Sequence, residues 1–330
     1  MRSGSIIATM TFGTPPVVSS VNKSAITRTQ GGILMRVTGS GFTGATACAF
    51  GGTNGTSLSV LNDTTIDVVT PAKAAGDHAV VVTGPGGSSN ATVTVKFVNP
   101  TSIFGANLKR WYSQTYSGGG WTDESATQNT SQATAAKRPS ASTFAGTTDR
   151  PGTHVALLFD GADDGLNMGG ASDIVTTALT IGFIASADPT QGAEANVVAK
   201  NYNAEDLIFG IRSTDPDNML FACGGSTDTE AAISTAAVND NVVRRYIGTN
   251  NGATSTLYVN GTAQPNTGTG AIAGGTLDFN AIGCAMAAEA ATDYHFKGKI
   301  GEVVEANVVA TATQRSHLEC YLRDCAGQAA

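Results

Sequence analysis

The chain has 330 residues with 26 acidic and 19 basic side chains, a formal charge of −7. That balance excludes the basic face nucleic acid needs and offers anionic lipid nothing to attract, and no segment approaches the ~20 apolar residues of a membrane span. The length exceeds what one hydrophobic core serves, so two domains are expected, and 40 glycines with only 14% charged residues suit short strands joined by tight turns. The predicted fold class is all-β.

Residues 1–14 carry no period and read as an N-terminal arm; Met1–Met10 lacks a sustained apolar run, so no secretory signal is expected. After Pro15-Pro16 come strand-like runs at 33–38, 65–70, 78–83 and 91–97, each stopped by glycine or proline, which predict a small sandwich over 15–98. Gly31-Gly32, Val37-Thr38-Gly39-Ser40-Gly41-Phe42, Val69-Thr70-Pro71-Ala72, Gly76 and Gly84-Pro85-Gly86-Gly87-Ser88-Ser89 resemble an IPT/TIG domain, which implies an immunoglobulin-like fold with Phe42 as a core plug. Such domains serve as spacers in surface and phage structural proteins.

Asn99-Pro100-Thr101-Ser102 breaks the β pattern and reads as a linker over 99–105. Residues 113–153, rich in Ser, Thr, Gly and Ala, read as ordered but irregular. Strands are then predicted at 154–159, 179–185, 196–200, 207–212, 219–223, 242–249, 254–259, 277–284 and 300–308. Asn250-Asn251-Gly252 and Asn260-Gly261 are hairpin signals, because primed turns require positive φ. One helix is expected. Thr311 and Gln314 form a capping box, Leu318, Tyr321, Leu322 and Cys325 share a face, and Gly327 can end it.

Trp111, Trp121-Thr122-Asp123, Gln132 to Pro139, Phe159-Asp160-Gly161-Ala162-Asp163-Asp164, Leu257-Tyr258-Val259-Asn260-Gly261, Phe296 to Val303 and Tyr321-Leu322 together resemble the concanavalin A-like (laminin G-like) family. The resemblance implies a larger jelly-roll β-sandwich with one C-terminal helix over 106–330, and work of the holding and binding kind.

Candidate sites follow from residue chemistry. Asp160, Asp163 and Asp164 offer hard oxygens for calcium at the rim where the resembling domains place it, while Asp-Gly-x-Asp-Asp is equally good turn chemistry. Trp121, beside Gly120, and Tyr202-Asn203, in a loop, are candidate glycan contacts, whereas Trp111 reads as core. A retaining glycosidase needs two carboxylates about 5–5.5 Å apart. No acidic run supplies them: Glu302 and Glu305 fall on opposite faces of a regular strand. His154 and His295 read as strand-edge surface residues, and no nucleophile elbow accompanies any histidine. The five cysteines (Cys48, Cys223, Cys284, Cys320, Cys325) lack a CxxC pair and read as buried thiols, with an intersubunit bridge through Cys320 or Cys325 left open.

The function expected is that of a non-enzymatic phage virion structural protein, a capsid decoration or spike or a neck or tail fibre component. It would be made in the host cytoplasm, displayed on the virion surface and joined to other virion proteins as a homo-oligomer. Its lectin-like outer domain would attach to a surface or glycan, with no nucleic acid partner and no membrane insertion. A secreted or cell-surface carbohydrate-binding adhesin is the alternative, and a glycoside hydrolase is the third reading.

Overall fold

The computed structural model describes residues 13–22, 26–125, 129–147, 153–168, 178–191, 195–199, 207–211, 218–223, 231–269, 281–287 and 290–328. The chain forms two compact units, Met1–Val98 and Asn99–Ala330.

In the first unit, alternation of apolar and polar residues builds a two-sheet sandwich. One sheet runs in the order Val17–Val21, Leu34–Ser40, Thr65–Val69, Thr56–Asn62; the other is built on Ile26–Arg28, Thr94–Val98, Gly76–Gly84 and Ala47–Phe50. Every second residue points inward, so Met35 and Val37, Ile66 and Val68, Val80 and Val82, and Val95 and Phe97 enclose the fully buried Phe42. Gly39 is forced by this packing: a Cβ there would overlap the Val17 carbonyl and the Phe42 ring. The carboxylate of Asp63 closes the adjoining loop by accepting from Gly41 N, Thr43 N and Thr43 Oγ1 at 3.2, 3.1 and 2.7 Å.

The second unit is the larger sandwich. One sheet passes through Gly120–Asp123, Leu108–Ser117, Lys297–Ala306, Leu179–Ala187, Arg244–Asn250 and Ser255–Val259, with Thr153–Asp160 also paired to Lys297–Ala306 and carrying Ser140–Ala145 on its outer side. The facing sheet runs Leu166–Asn167, Ala281–Ile282, Ala195–Ala199, Leu207–Ile211, Asn218–Cys223, Ala231–Ala237. Between them, Phe183 meets Phe209 edge-on at 4.5 Å and stacks on Tyr246 at 5.2 Å between ring centroids. Leu179–Ala187 is buried at every position, because helix α2 (Ala312–Cys325) covers its outer face with Leu318 and Leu322 against Gly182.

The predicted helix has the predicted ends. Thr311 and Gln314 cap it reciprocally, and Gly327 sits past its last turn at φ +66°. Asn260 and Gly261 (φ +49° and +81°) make a two-residue primed turn. The Asn250 signal resolves differently. Asn250 ends its strand fully buried, accepting from Gly252 N and donating to Ser255 Oγ, and the loop spans four residues, 251–254.

Three expectations are corrected. Residues 99–105 are not an irregular linker. Asn99 and Ser102 form a capping box on a short helix, α1 (Pro100–Phe104), whose Ile103 carbonyl accepts from Gln314 Nε2 at 2.9 Å. The described part of 113–153 is irregular only in part: a hairpin opens it and the Ser140–Ala145 strand lies near its end, because backbone pairing there does not depend on an apolar period. His154 is 5% exposed rather than a surface residue, since the turn at Gly327 packs on its ring.

Candidate functional site

The Leu108–Ser117 and Gly120–Asp123 strands form an edge hairpin whose tip, Gly118-Gly119, takes positive φ at both positions (+61° and +87°). Opposite it runs the segment Asn129–Arg138, tied down at both ends. Thr130 Oγ1 accepts from Trp121 N at 2.6 Å, and Ser131 exchanges two backbone bonds of 2.8 Å with Asn167. Between tip and segment lies an open cleft of ≈ 410 Å³, lined by Ser117–Thr122, Asn129–Ala133 and Arg138.

The cleft is polar. Gln132, 7% exposed, is fixed by donating to the Gly165 carbonyl at 3.0 Å and accepting from Thr134 N at 3.1 Å. Arg138 lies across Gly119, where any Cβ would overlap its Nε. Its guanidinium is clamped by two main-chain carbonyls, Nε to Gln132 O at 2.7 Å and Nη2 to Ala133 O at 3.2 Å, and no carboxylate pairs with it among the described residues. By contrast Arg36, Arg110, Arg244 and Arg245 each hold an acidic partner within 3.1 Å.

On the far side of the same segment sits the Asp160–Asp164 turn, joined to it by Gly165 N donating to Lys137 O at 3.1 Å. Each of Asp160, Asp163 and Asp164 places a carboxylate oxygen within 4.8 Å of the others. Two oxygens bound to one calcium at ~2.4 Å can be that far apart, so the donor set fits the ion. The turn reading is equally real: Asp160 Oδ1 accepts from Ala162 N and Asp163 N at 2.7 and 3.3 Å, and Asp164 Oδ2 accepts from Asp160 N at 2.9 Å. Each of these two carboxylates keeps a second oxygen. Burial, and then the neighbouring carboxylates, hold the Asp164 pKa above the ordinary value, against the Asp160 N–H bond and His295. A cation would relieve that repulsion, with water completing the coordination.

The remaining acidic candidates are structural. Glu302, on a bulge at φ +39°, accepts from Trp111 Nε1, Ser113 Oγ and Tyr321 Oη at 3.1, 2.8 and 2.9 Å, and Glu305 pairs with Arg110 at 3.1 Å. Both glutamates are 5% exposed or less.

Of the sequence-predicted glycan contacts, Trp121 is corrected. Its ring is fully buried against Tyr112, and its Nε1 donates to the Ser113 carbonyl, so it floors the cleft and cannot stack on a sugar. Tyr202 and Asn203 lie outside the described residues. Arg138 and Gln132 were missed as site residues. Both lie in the Gln132 to Pro139 stretch that carries the family resemblance, and the need for a bare backbone at Gly119 appears only once Arg138 is folded over it.

Residues 16–97 match the IPT/TIG domain family model, and residues 160–314 match that of the concanavalin A-like lectin/glucanases superfamily. No curated protein matches the chain. Among solved structures, Trypanosoma rangeli sialidase in complex with sialic acid is similar at a TM-score of 0.50 and 12% identity, over 90% of this chain and 44% of that one. A second structure of that sialidase gives 0.48 and 14%, over 69% and 34%. Domain 4 of AbnA, a GH43 extracellular arabinanase from Geobacillus stearothermophilus, in complex with arabinotriose, gives 0.40 and 12%, over 64% and 98%. This chain therefore spans less than half of the sialidase, and the likeness is one of fold.

Proposed function

We propose that this chain, an IPT/TIG domain followed by a lectin-like concanavalin A-type sandwich, is a non-enzymatic attachment protein whose second domain holds a surface glycan in the Arg138 cleft. The observation that carries this reading is the open cleft itself, placed where the sandwich edge meets solvent and offering hydroxyl, amide and guanidinium groups beside apolar surface. Glu302 and Glu305 are committed to bonds in the interior, which favours holding a sugar over cleaving it.

The setting that suits the pair of domains is a virion, where the chain would be a decoration, spike or fibre component assembled as a homo-oligomer with other virion proteins. Calcium at Asp160, Asp163 and Asp164 would brace the loop beside the cleft. A secreted or cell-surface adhesin is the second reading and shares the same cleft chemistry.

A glycan array probed with the full chain tests the attachment function: saturable binding to some saccharides supports it, and a blank array ends it. Mass spectrometry of purified phage particles tests the setting, and finding the chain absent from virions while it is displayed on cells would favour the adhesin.

A further inference from the structure

Resting on the glycan-attachment reading, we infer that the cleft selects saccharides bearing a carboxylate, and that Arg138 is the residue that reads it. The geometry gives three reasons. First, Arg138 is a fixed charge: two carbonyls hold one edge of the fork, Gly119 supports its underside, and the Nη1 group forms no bond among the described residues. A pre-organised guanidinium loses little entropy on binding and matches a planar carboxylate.

Second, in a chain of net charge −7 the cation has no acidic partner among the described residues. Among the described residues no ion pair uses this charge, which leaves it available to a ligand. Third, the neighbourhood fits a single negative charge. One guanidinium with two of its five N–H donors already engaged is poor company for a phosphate dianion. The exposed Ser131 and the part-exposed Thr122, both on the lining, are suited to ring hydroxyls.

The test uses the unmodified full chain with matched ligands: a uronic acid-bearing oligosaccharide, the same oligosaccharide after carboxyl reduction, and a sulfated counterpart. Calorimetry is expected to give binding of the acid about tenfold tighter or more than the reduced sugar, as for a charge-assisted hydrogen bond. Arg138→Gln should remove that preference, and Arg138→Lys should restore only part of it, with melting temperature and circular dichroism verifying the fold of each variant. Equal affinity for acid and reduced sugar overturns the inference while leaving glycan attachment standing, and so does tighter binding of the sulfated ligand. Binding of none of the three, together with a blank glycan array, sinks both.

Discussion

Trp111 and Tyr321 stand 210 positions apart in sequence, yet both donate to one oxygen, Glu302 Oε2, at 3.1 and 2.9 Å. Their rings meet edge-on at 6.0 Å. That shared acceptor pins α2 to the outer face of the sheet, and Ser113 Oγ on the other oxygen completes the anchor. Truncating Glu302 would leave three donors facing a dry interior. Glu302→Ala is therefore expected to cost on the order of 3 kcal/mol in urea unfolding, and Tyr321→Phe about 1 kcal/mol. Equal, near-zero effects for both variants would contradict the anchor.

The Asp164 carboxyl has a folded pKa above its unfolded value, so its protonated form is the one folding favours. Its contribution is fully present below the unfolded carboxylate range and is lost as pH rises through the folded value. In chelator, Asp164→Asn is expected to raise Tm at pH 7 and to leave it nearly unchanged at pH 3. Calcium should raise the Tm of the parent chain at pH 7, and Asp163→Asn should weaken that response. A parent chain indifferent to calcium leaves only the turn.

All five cysteines are buried thiols, and burial pushes Cys48, Cys223 and Cys284 up to about 12. Since the thiolate is the reactive form, a disulfide-exchange reagent should label the native chain slowly and yield five equivalents in denaturant. A cross-linked dimer on a non-reducing gel that disappears in Cys320→Ser or Cys325→Ser would show that this thiol reaches a second subunit.

Gly248 lies where aromatic rings of the facing sheet press on its strand. A Cβ there would stand 2.7 Å from Phe209 and 2.9 Å from Phe221. Gly248→Ala should destabilise the second unit by about 1–3 kcal/mol through overpacking. A paired Phe221→Leu change should recover part of that loss in the same unfolding experiment.

Much of this molecule was written locally. Alternation placed Val80 and Val82 inward, Asn260-Gly261 made its primed turn, and Thr311 with Gln314 began the helix, because each depends on residues within a few positions of one another. The motif text of both domains was also readable, since it lies on turns and plugs such as Gly39 and Phe42. The Asp160–Asp164 trio was legible for the same reason: its members are neighbours in the chain.

Whether Trp121 faced solvent or core, and whether Arg138 would find an acid, depended on tertiary structure. Trp121 lies on a hairpin with polar neighbours, and only the pairing of Leu108–Ser117 with both that hairpin and Lys297–Ala306 turns its ring under the sheet. Among the described residues Arg138 has no carboxylate partner because Gln132 O, Ala133 O and Gly119 hold it in place, three positions that no period in the sequence groups together. Local hydrogen bonding and side-chain alternation thus settled the elements and their ends. Burial and charge pairing, which join residues far apart in the chain, were decided by the packed sandwich alone.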